Sequence, residues 1–162
     1  MKSEFEINIT TGSMYRFLMY HMYHSFQGIF SIVAGLGVLT LFLVFRDSRQ
    51  SWIYLLFGIL FLVYEPWSLY TRAVKQAKLN PVFKKPLRYL VTDQGVTVNQ
   101  DEAVNEAFWE NICKVRETGR SIYVYTSVRN AFIWEKKQMG KETETVKQLL
   151  LTHVDPKKRK LK

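Results

Sequence analysis

Hydrophobic residues are concentrated in two long runs in the first half of the chain. Residues 28–45, GIFSIVAGLGVLTLFLVF, carry no charge, and as an α-helix they would be about 27 Å long, close to the hydrocarbon thickness of a bilayer. Residues 52–64 form a shorter run, which spans a membrane only if the helix continues through Glu65 and Pro66 to about residue 70. Because the polar linker of residues 46–51 is short, the pattern predicts a two-helix transmembrane hairpin with spans at about 28–45 and 52–70.

Two other interpretations of these runs fit less well. Buried helices of a soluble globular domain seldom lack a polar face over such a length. A signal peptide would begin closer to the chain start and would carry a small-residue cleavage pattern. Here the first run begins at residue 28 and a second run follows it.

The segment before the first run is rich in aromatic residues. Ser13 is a suitable helix N-cap, and the residues after it predict an interfacial helix that leads into the first span. His21 and His24 share one face of this helix, at the spacing of a metal-binding pair. The only other histidine is His153, and a metal needs at least a third ligand. We therefore expect interfacial histidines and no metal site.

Polar residues inside the spans are the first candidates for transport chemistry. Pairing the two helices about the centre of the linker places Glu65 level with Ile32, near Ser31 and Gln27. The intramembrane polar residues Gln27, Ser31 and Glu65 could form a track for an ion or a proton. We favour the alternative, in which Glu65 lies close to the inner interface and reaches water or a basic neighbour. Small residues would allow close contact between the helices: Ser31, Gly35 and Gly58.

The hydrophobic period changes from helical to alternating after residue 86. Short alternating runs predict six strands, at residues 87–92, 96–98, 105–109, 112–117, 122–126 and 131–134. Turns are predicted at residues 93–95, 118–120 and 129–130. The last element, about residues 143–154, is predicted to be a helix with Thr145 and Gln148 at capping-box spacing. Its apolar face would consist of Val146, Leu149, Leu150 and His153.

The first residues of the chain also alternate. Phe5, Ile7 and Ile9 are separated by polar residues, which predicts a strand with one face to bury, although no partner strand lies nearby in sequence. The sheet that begins at residue 87 is the expected partner. The hairpin would then be an insertion between strands of one small domain, and both chain ends would lie on the same side of the membrane.

The order of these elements and one stretch of sequence resemble a known family. The stretch is FWENICKVRET, residues 108–118, followed by SIYVY, residues 121–125. Together with the hairpin and the final helix it is similar to the YcxB-like family of small bacterial membrane proteins. The resemblance implies an α+β fold with a pleckstrin-homology-like cytosolic domain, and a biochemical role that is unassigned. Where relatives tend to have an Ile-Pro-Lys-like turn, this chain has Ile-Trp-Glu-Lys at residues 133–136.

Charge is distributed as unevenly as hydrophobicity. The 162 residues carry a formal net charge of +9, yet residues 1–71 are neutral overall. The excess lies in a connector at residues 72–88 and in a tail at residues 157–162, which places the second half of the chain in the cytosol by the positive-inside rule. The candidate contacts to anionic lipid headgroups are Arg72, Lys75, Lys78, Lys84, Lys85, Arg88, Lys157, Lys158, Arg159 and Lys160.

Two other interpretations of the basic residues are weaker. Nucleic acid is the usual competing partner of a basic tail, but the connector is already tethered beside lipid, so we expect no nucleic-acid binding. A tail that is merely disordered and solubilising is the other alternative.

Catalytic chemistry finds no support in the sequence. Cys113 has no histidine near it in sequence and is expected to be a buried structural thiol. Trp109 and Trp134 lie at strand ends, where core or rim aromatics are commoner than a ligand groove. No phosphate-binding loop, nucleophile elbow or metal-ligand run is present in the sequence, so we expect neither an enzyme nor a cofactor.

These patterns combine into one plan for the chain. We expect an N-terminal strand in residues 1–12, the interfacial helix and membrane hairpin in residues 13–71, and a basic connector in residues 72–86. The YcxB-like cytosolic domain would cover residues 87–154 and the basic tail residues 155–162. The plan predicts a multi-pass protein of the cell (inner) membrane with cytosolic termini, acting as a binding or regulatory module with lipid and an unknown protein as partners. The alternative is a small transporter or channel subunit that forms homo-oligomers through the hairpin.

Overall fold

The computed structural model describes residues 1–100, 103–128 and 130–161, and the chain divides into two compact units. The first unit combines Met1–Ser13 with Ala77–Lys162, and the second is Met14–Gln76. Arg129 of a predicted turn, Lys162 of the predicted tail and the acidic residues Asp101 and Glu102 lie outside the described residues.

Helices and strands follow one another in an order close to the predicted one. The α-helices of the described chain are α1 (Thr11–Tyr23), α2 (Phe26–Val44), α3 (Ser51–Leu79), α4 (Lys136–Met139) and α5 (Glu142–His153). The strands are β1 (Lys2–Ile7), β2 (Leu87–Thr92), β3 (Gly95–Gln100), β4 (Ala103–Phe108), β5 (Lys114–Glu117), β6 (Ser121–Tyr125), β7 (Ala131–Glu135) and β8 (Arg159–Lys160).

The first sheet joins the two ends of the helical insertion. Its order is β1-β2-β3-β4, and every neighbouring pair is antiparallel. β1 pairs with β2 although three helices lie between them in sequence, which confirms the predicted partner of the N-terminal strand. Phe5 and Ile7 are buried, as the alternation predicts, and Ser3 is buried on the same side.

The second sheet has the order β7-β6-β5-β8. All residues of β6 are buried, so its aliphatic face, with Ile122 and Val124, and its aromatic face, with Tyr123 and Tyr125, are both covered. Aromatic rings join the two sheets: Trp134 of β7 packs edge-on against Phe5 of β1 and Tyr89 of β2, with ring centroids 5.5 and 5.7 Å apart. Edge-to-face packing at these distances adds to the free energy that burial of the rings supplies.

The helix α5 covers the core with the predicted apolar face. Val146, Leu149 and Leu150 are fully buried, and His153 lies one turn further on. The predicted cap was wrong, because Thr145 lies inside the helix and Lys141 occupies the N-cap position without a side-chain hydrogen bond. The helix starts earlier because Glu142 and Glu144 in its first turn interact favourably with the helix dipole.

The N-terminal cap of α1 is also displaced from its predicted position. The Ser13 hydroxyl accepts a hydrogen bond from the Thr10 amide at 2.8 Å, and the Thr10 hydroxyl accepts one from the Ser13 amide at 3.1 Å. This reciprocal pair makes Thr10 the cap and Ser13 the third helical residue. A second helix begins at Phe26, because Ser25 caps it by accepting a hydrogen bond from the Gly28 amide.

The helices α2 and α3 pack against each other in antiparallel orientation. Gly35 of α2 lies against Leu62 of α3, and Gly58 of α3 lies against Leu39 of α2. Both contacts fit the predicted register, in which Glu65 is level with Ile32. Since glycine has no Cβ, the partner leucine side chains approach the helix axis closely at both contacts.

The helix α3 is longer than the predicted second span. It continues through Glu65 and Pro66 and ends only at Leu79, so the first part of the predicted basic connector is helical. Asn80 caps a short 3-10 turn, Pro81–Phe83, directly afterwards. Proline at the start of that turn cannot continue an α-helix, which explains where α3 stops.

Candidate functional site

Two helices of the described chain are long and apolar enough to cross a membrane. They are Phe26–Val44 and Ser51–Leu79, with mean hydropathies of 2.1 and 1.5 over the most apolar 18 residues of each helix. Only 11% of that stretch is buried in either helix. A core helix of a soluble domain would bury its apolar side chains, so the exposed apolar surface of these helices fits lipid as their surroundings.

Basic side chains follow the second apolar helix toward its carboxyl end. Arg72, Lys75 and Lys78 lie on α3 and are exposed, whereas Ala73 and Ala77 of the same turns are buried. Lys84 and Lys85 lie just after the 3-10 turn and are also exposed. This helical extension presents three cations at three-residue spacing along the end of an apolar helix, which is the position of a juxtamembrane basic cluster.

Arg88 is engaged by a carboxylate of the neighbouring strand. Its guanidinium donates two hydrogen bonds to the Glu6 Oε1 atom, at 2.8 and 3.1 Å, across the β1–β2 pair. The hydrogen bond and the charge of Glu6 raise the pKa of Arg88. Of the ten predicted lipid contacts, Arg88 therefore has a partner within the sheet.

The predicted basic tail is an ordered edge of the second sheet. β8 pairs in parallel with β5, and the Val115 amide donates to the Lys158 carbonyl at 2.9 Å. Arg159 donates to the carbonyls of Leu150 and Leu151 in the last turn of α5, where the Leu150 carbonyl also accepts a hydrogen bond from the Val154 amide. The alternative of a disordered, solubilising tail is therefore wrong for the described residues.

Lys158 likewise has a structural partner within the domain. Its ammonium donates to the Ile112 carbonyl at 3.3 Å. Lys157 and Lys160 are exposed. Two of the four candidate lipid contacts in the tail are thus engaged within the domain, and two present their charge to solvent.

The three intramembrane polar residues are not joined by hydrogen bonds in the described structure. Gln27 is exposed, and Ser31 and Glu65 are partly exposed. Glu65 instead lies close enough to Tyr23 of α1 to act on it: burial, then Tyr15, then Glu65 raise the pKa of the Tyr23 hydroxyl. A polar track through Gln27, Ser31 and Glu65 therefore gains no support.

The two histidines of α1 interact with aromatic rings of their own helix. His24 stacks on Tyr20 with ring centroids 4.1 Å apart, and its Nδ1 atom lies 2.9 Å from the Tyr20 carbonyl. His21 stacks on Phe17 at 6.1 Å. Within residues 1–100, 103–128 and 130–161, no three His, Cys, Asp or Glu side chains are placed to hold a metal ion.

A cluster of side chains around His153 was not predicted from the sequence. His153 at the end of α5 stacks on Trp109 with centroids 5.4 Å apart, and its Nε2 atom lies 3.1 Å from Asp93 Oδ1. Trp109 donates to the carbonyls of Thr92 and Asp93 at 3.1 Å. Hydrogen bonds from the Met1 amino group and from His153 lower the pKa of the Asp93 carboxyl. These contacts hold the end of α5 against the β2–β3 turn.

A buried carboxylate is the second feature that sequence spacing did not reveal. Glu117 of β5 has a side chain that is 1% exposed, and its Oε1 atom contacts the ammonium groups of Lys136 at 2.5 Å and Lys147 at 3.4 Å. These lysines come from α4 and α5, so one carboxylate joins both helices to the sheet. Its partners are 19 and 30 residues away, which no local motif would indicate.

Cys113 corrects a sequence-based expectation, and the tryptophans confirm one. Cys113 is exposed, not buried, because it lies in the segment between the 3-10 turn Trp109–Asn111 and β5, before the alternation that buries Val115 and Glu117 begins at Lys114. Trp134 is fully buried and Trp109 nearly so, as expected of core or rim aromatics.

Comparisons with protein-family models, with curated proteins and with solved structures find no match to this chain. The candidate site is therefore defined by this chain's own geometry. It consists of the exposed cations on and after the apolar helix α3, together with the two-sheet domain that follows them.

Proposed function

We propose that the protein is a two-span membrane protein that presents a pleckstrin-homology-like domain at the cytosolic face as a binding or regulatory module. The pairing of β1 with β2 is the observation that carries the proposal. Two strands that are hydrogen-bonded neighbours lie on one side of a membrane, and the chain crosses between them through two apolar helices. An even number of crossings, with both termini on one side, satisfies this constraint.

Three further observations support the finer parts of the proposal. Two antiparallel-rich sheets followed by a helix that covers the core are compatible with a pleckstrin-homology-like fold. The exposed cations Arg72, Lys75 and Lys78 favour the cytosolic side for the end of α3. Among the described residues, no hydrogen bonds join Gln27, Ser31 and Glu65 into a polar track. We therefore prefer the binding or regulatory role to the small-transporter alternative.

The topology is tested best with the chain's own thiol. Cys113 is the only cysteine and is exposed, so a membrane-impermeant maleimide should label it after permeabilisation and not in intact cells. A cysteine that reports on the linker between α2 and α3 must stand at an exposed position, and Ser51 is buried. Asp47, whose side chain is fully exposed, suits this purpose: Asp47→Cys in a Cys113→Ser background should be labelled in intact cells. Labelling of Cys113 from outside would refute the proposal.

Contact with anionic lipid is tested on the full chain, because a fragment starting at residue 72 would lose β1 and with it the buried Phe5 and Ile7. At about 1.5 Å per residue, Lys75 and Lys78 lie about 5 and 9 Å beyond Arg72 along α3, within or close to the Debye length of about 8 Å. Each such charge contributes about 1 kcal/mol near an anionic surface.

The triple variant in which Arg72, Lys75 and Lys78 become Gln should retain less phosphatidylglycerol relative to phosphatidylcholine when it is purified from mixed-lipid micelles. Lipid mass spectrometry would measure the ratio, and we expect a fall of about fivefold or more. The matched control replaces Lys137 and Lys141 by Gln, because these are exposed cations of α4 and of the position before α5 that are not among the candidate lipid contacts. An unchanged ratio in the triple variant would remove the lipid contact from the proposal.

A further inference from the structure

The strand β4 combines three properties that nothing in the domain's own architecture explains. It is the terminal strand of the first sheet and, among the described residues, is hydrogen-bonded on one side only, to β3. It exposes two large apolar side chains, Val104 at 59% and Phe108 at 53%. Glu106 stands between them on the same face, since alternate residues of a strand point the same way.

The opposite edge of this sheet is β1, and other elements of the domain cover it. β1 is contacted by α4 and α5, and side chains tie it down: Ser3 donates to Glu142 at 2.7 Å, and the Asn8 amide donates to Gln138 at 2.7 Å. Natural proteins usually protect a free edge with lysine, proline, a bulge or a covering element. Residues 103–108 of β4, AVNEAF, contain neither lysine nor proline.

The charge around this edge is opposite to that of the chain as a whole. The described residues of β3, β4 and the turn after β4, residues 95–100 and 103–113, contain two acidic residues, Glu106 and Glu110, and no Lys or Arg, in a protein whose net charge is +9. Glu106 is exposed, and none of its neighbours in the described structure forms an ion pair with it. This edge therefore repels an anionic lipid surface and favours a cationic partner.

We propose that β4 is a docking edge for an extended, basic peptide segment of a partner protein, which adds as a fifth strand to the first sheet. Main-chain groups of β4 that point away from β3 supply the hydrogen bonds, as in other cases of strand addition. Val104 and Phe108 contact alternate apolar side chains of the segment, and Glu106 faces a lysine or arginine between them. A shallow depression beside Phe108, lined by Gly95, Thr97 and Glu106, can accept one of those side chains.

This inference deepens the proposed role as a binding module and rests on it, but the two fail separately. Labelling of Cys113 from outside would refute the membrane topology and leave peptide binding by the purified protein unaffected. Absence of peptide binding would refute the docking edge alone.

The test uses the full-length protein in detergent micelles and three fluorescent eight-residue peptides: a Lys/Val peptide of sequence VTKTVTKT, in which Val and Lys follow each other along one face of the strand, its variant with Glu in place of Lys, and the Lys/Val peptide with two central prolines. We expect the Lys/Val peptide to bind at least tenfold more tightly than the other two, and to bind less tightly as salt rises. Hydrogen exchange of the wild-type protein should show new protection at the amides of residues 103–108.

Variants localise the binding. Glu106→Lys and Val104→Lys should each weaken Lys/Val peptide binding at least tenfold, because the first places a cation against the lysine of the peptide and the second replaces an apolar contact to its valine by a charge. The controls Glu144→Lys and Val128→Lys change residues that are exposed on α5 and in the β6–β7 turn, and should leave binding within twofold.

Two results would overturn the proposal. One is peptide-induced protection that lies outside β4 or is absent in the wild-type protein, a readout that does not depend on how the variants fold. The other is that Val104→Lys and Phe108→Ala alter retention of phosphatidylglycerol while leaving peptide binding unchanged, which would make the edge a lipid contact.

Discussion

Replacing Glu117 by Gln should destabilise the two-sheet domain more than any exposed charge substitution. The substitution keeps the shape of the side chain but removes its charge, and it leaves Lys136 and Lys147 as ammonium groups whose side chains are only 25% and 18% exposed. Removing one partner of a buried ion pair costs about 3–5 kcal/mol, and the remaining solvent contact of the lysines reduces this to about 2–4 kcal/mol.

For a domain of about 100 residues, a loss of that size lowers the melting temperature by roughly 10–20 °C. Tryptophan fluorescence can report on this domain alone if Trp52 and Trp67, which lie in α3, are changed to Phe. The remaining tryptophans, Trp109 and Trp134, are buried in the domain and should shift to longer emission wavelengths when it unfolds.

Glu144→Gln is the matched control, because Glu144 shares Lys147 as a partner at 3.8 Å but has a side chain that is 78% exposed. Exposed pairs of this kind contribute about 0–1 kcal/mol, so the control should melt within about 4 °C of the parent. Equal melting temperatures for Glu117→Gln and Glu144→Gln would show that the buried carboxylate does not hold α4 and α5 to the sheet.

Three further predictions concern other contacts. Asp93→Asn should lower the melting temperature at pH 5–6, and the difference should shrink as the pH falls below about 4, because the lowered pKa of Asp93 means that its ionised form stabilises the fold and this contribution is lost as the carboxyl protonates; a difference that does not change with falling pH would contradict this. Gly28→Ala should destabilise the α1–α2 turn in detergent melts, since its Cβ would lie 2.1 Å from the Met22 carbonyl oxygen, whereas Gly37→Ala meets no atom within 4 Å and should be neutral. Arg159→Ala should cost about 1 kcal/mol in denaturant unfolding by uncapping α5, with Lys157→Ala unchanged, and equal stabilities would rule out the cap.

Much of the domain could be predicted because alternation and turn residues are local signals. Leu87–Thr92 forms β2 with the predicted bounds, and Val146, Leu149 and Leu150 form the buried face of α5. The pairing of β1 with β2 was also predictable, since a strand with one apolar face needs a sheet and only one sheet was present in the pattern.

The expectations for the tail, for Cys113 and for the end of α3 were wrong for different physical reasons. β8 has a basic sequence without alternation, and it is ordered by the carbonyls of α5 and the amide of Val115, which sequence spacing does not reveal. The expectation for Cys113 relied on residue type and on a strand that begins at residue 112, whereas β5 begins only at Lys114 and Cys113 lies in the exposed segment before it. The helix α3 runs past its expected end because no helix-stopping residue occurs between Pro66 and Asn80.

The basic residues that give the net charge of +9 divide into those that are bonded within the domain and those that are exposed to solvent. Arg88, Lys158 and Arg159 hold strands and a helix end together, so they contribute to the stability of the domain more than to a partner. Exposed cations lie along the end of α3 and directly after it, whereas β4, at the open edge of the first sheet, contains no Lys or Arg. The proposed lipid contact and the proposed peptide contact therefore use charges of opposite sign in separate segments, and neutralising either set should leave the other interaction intact.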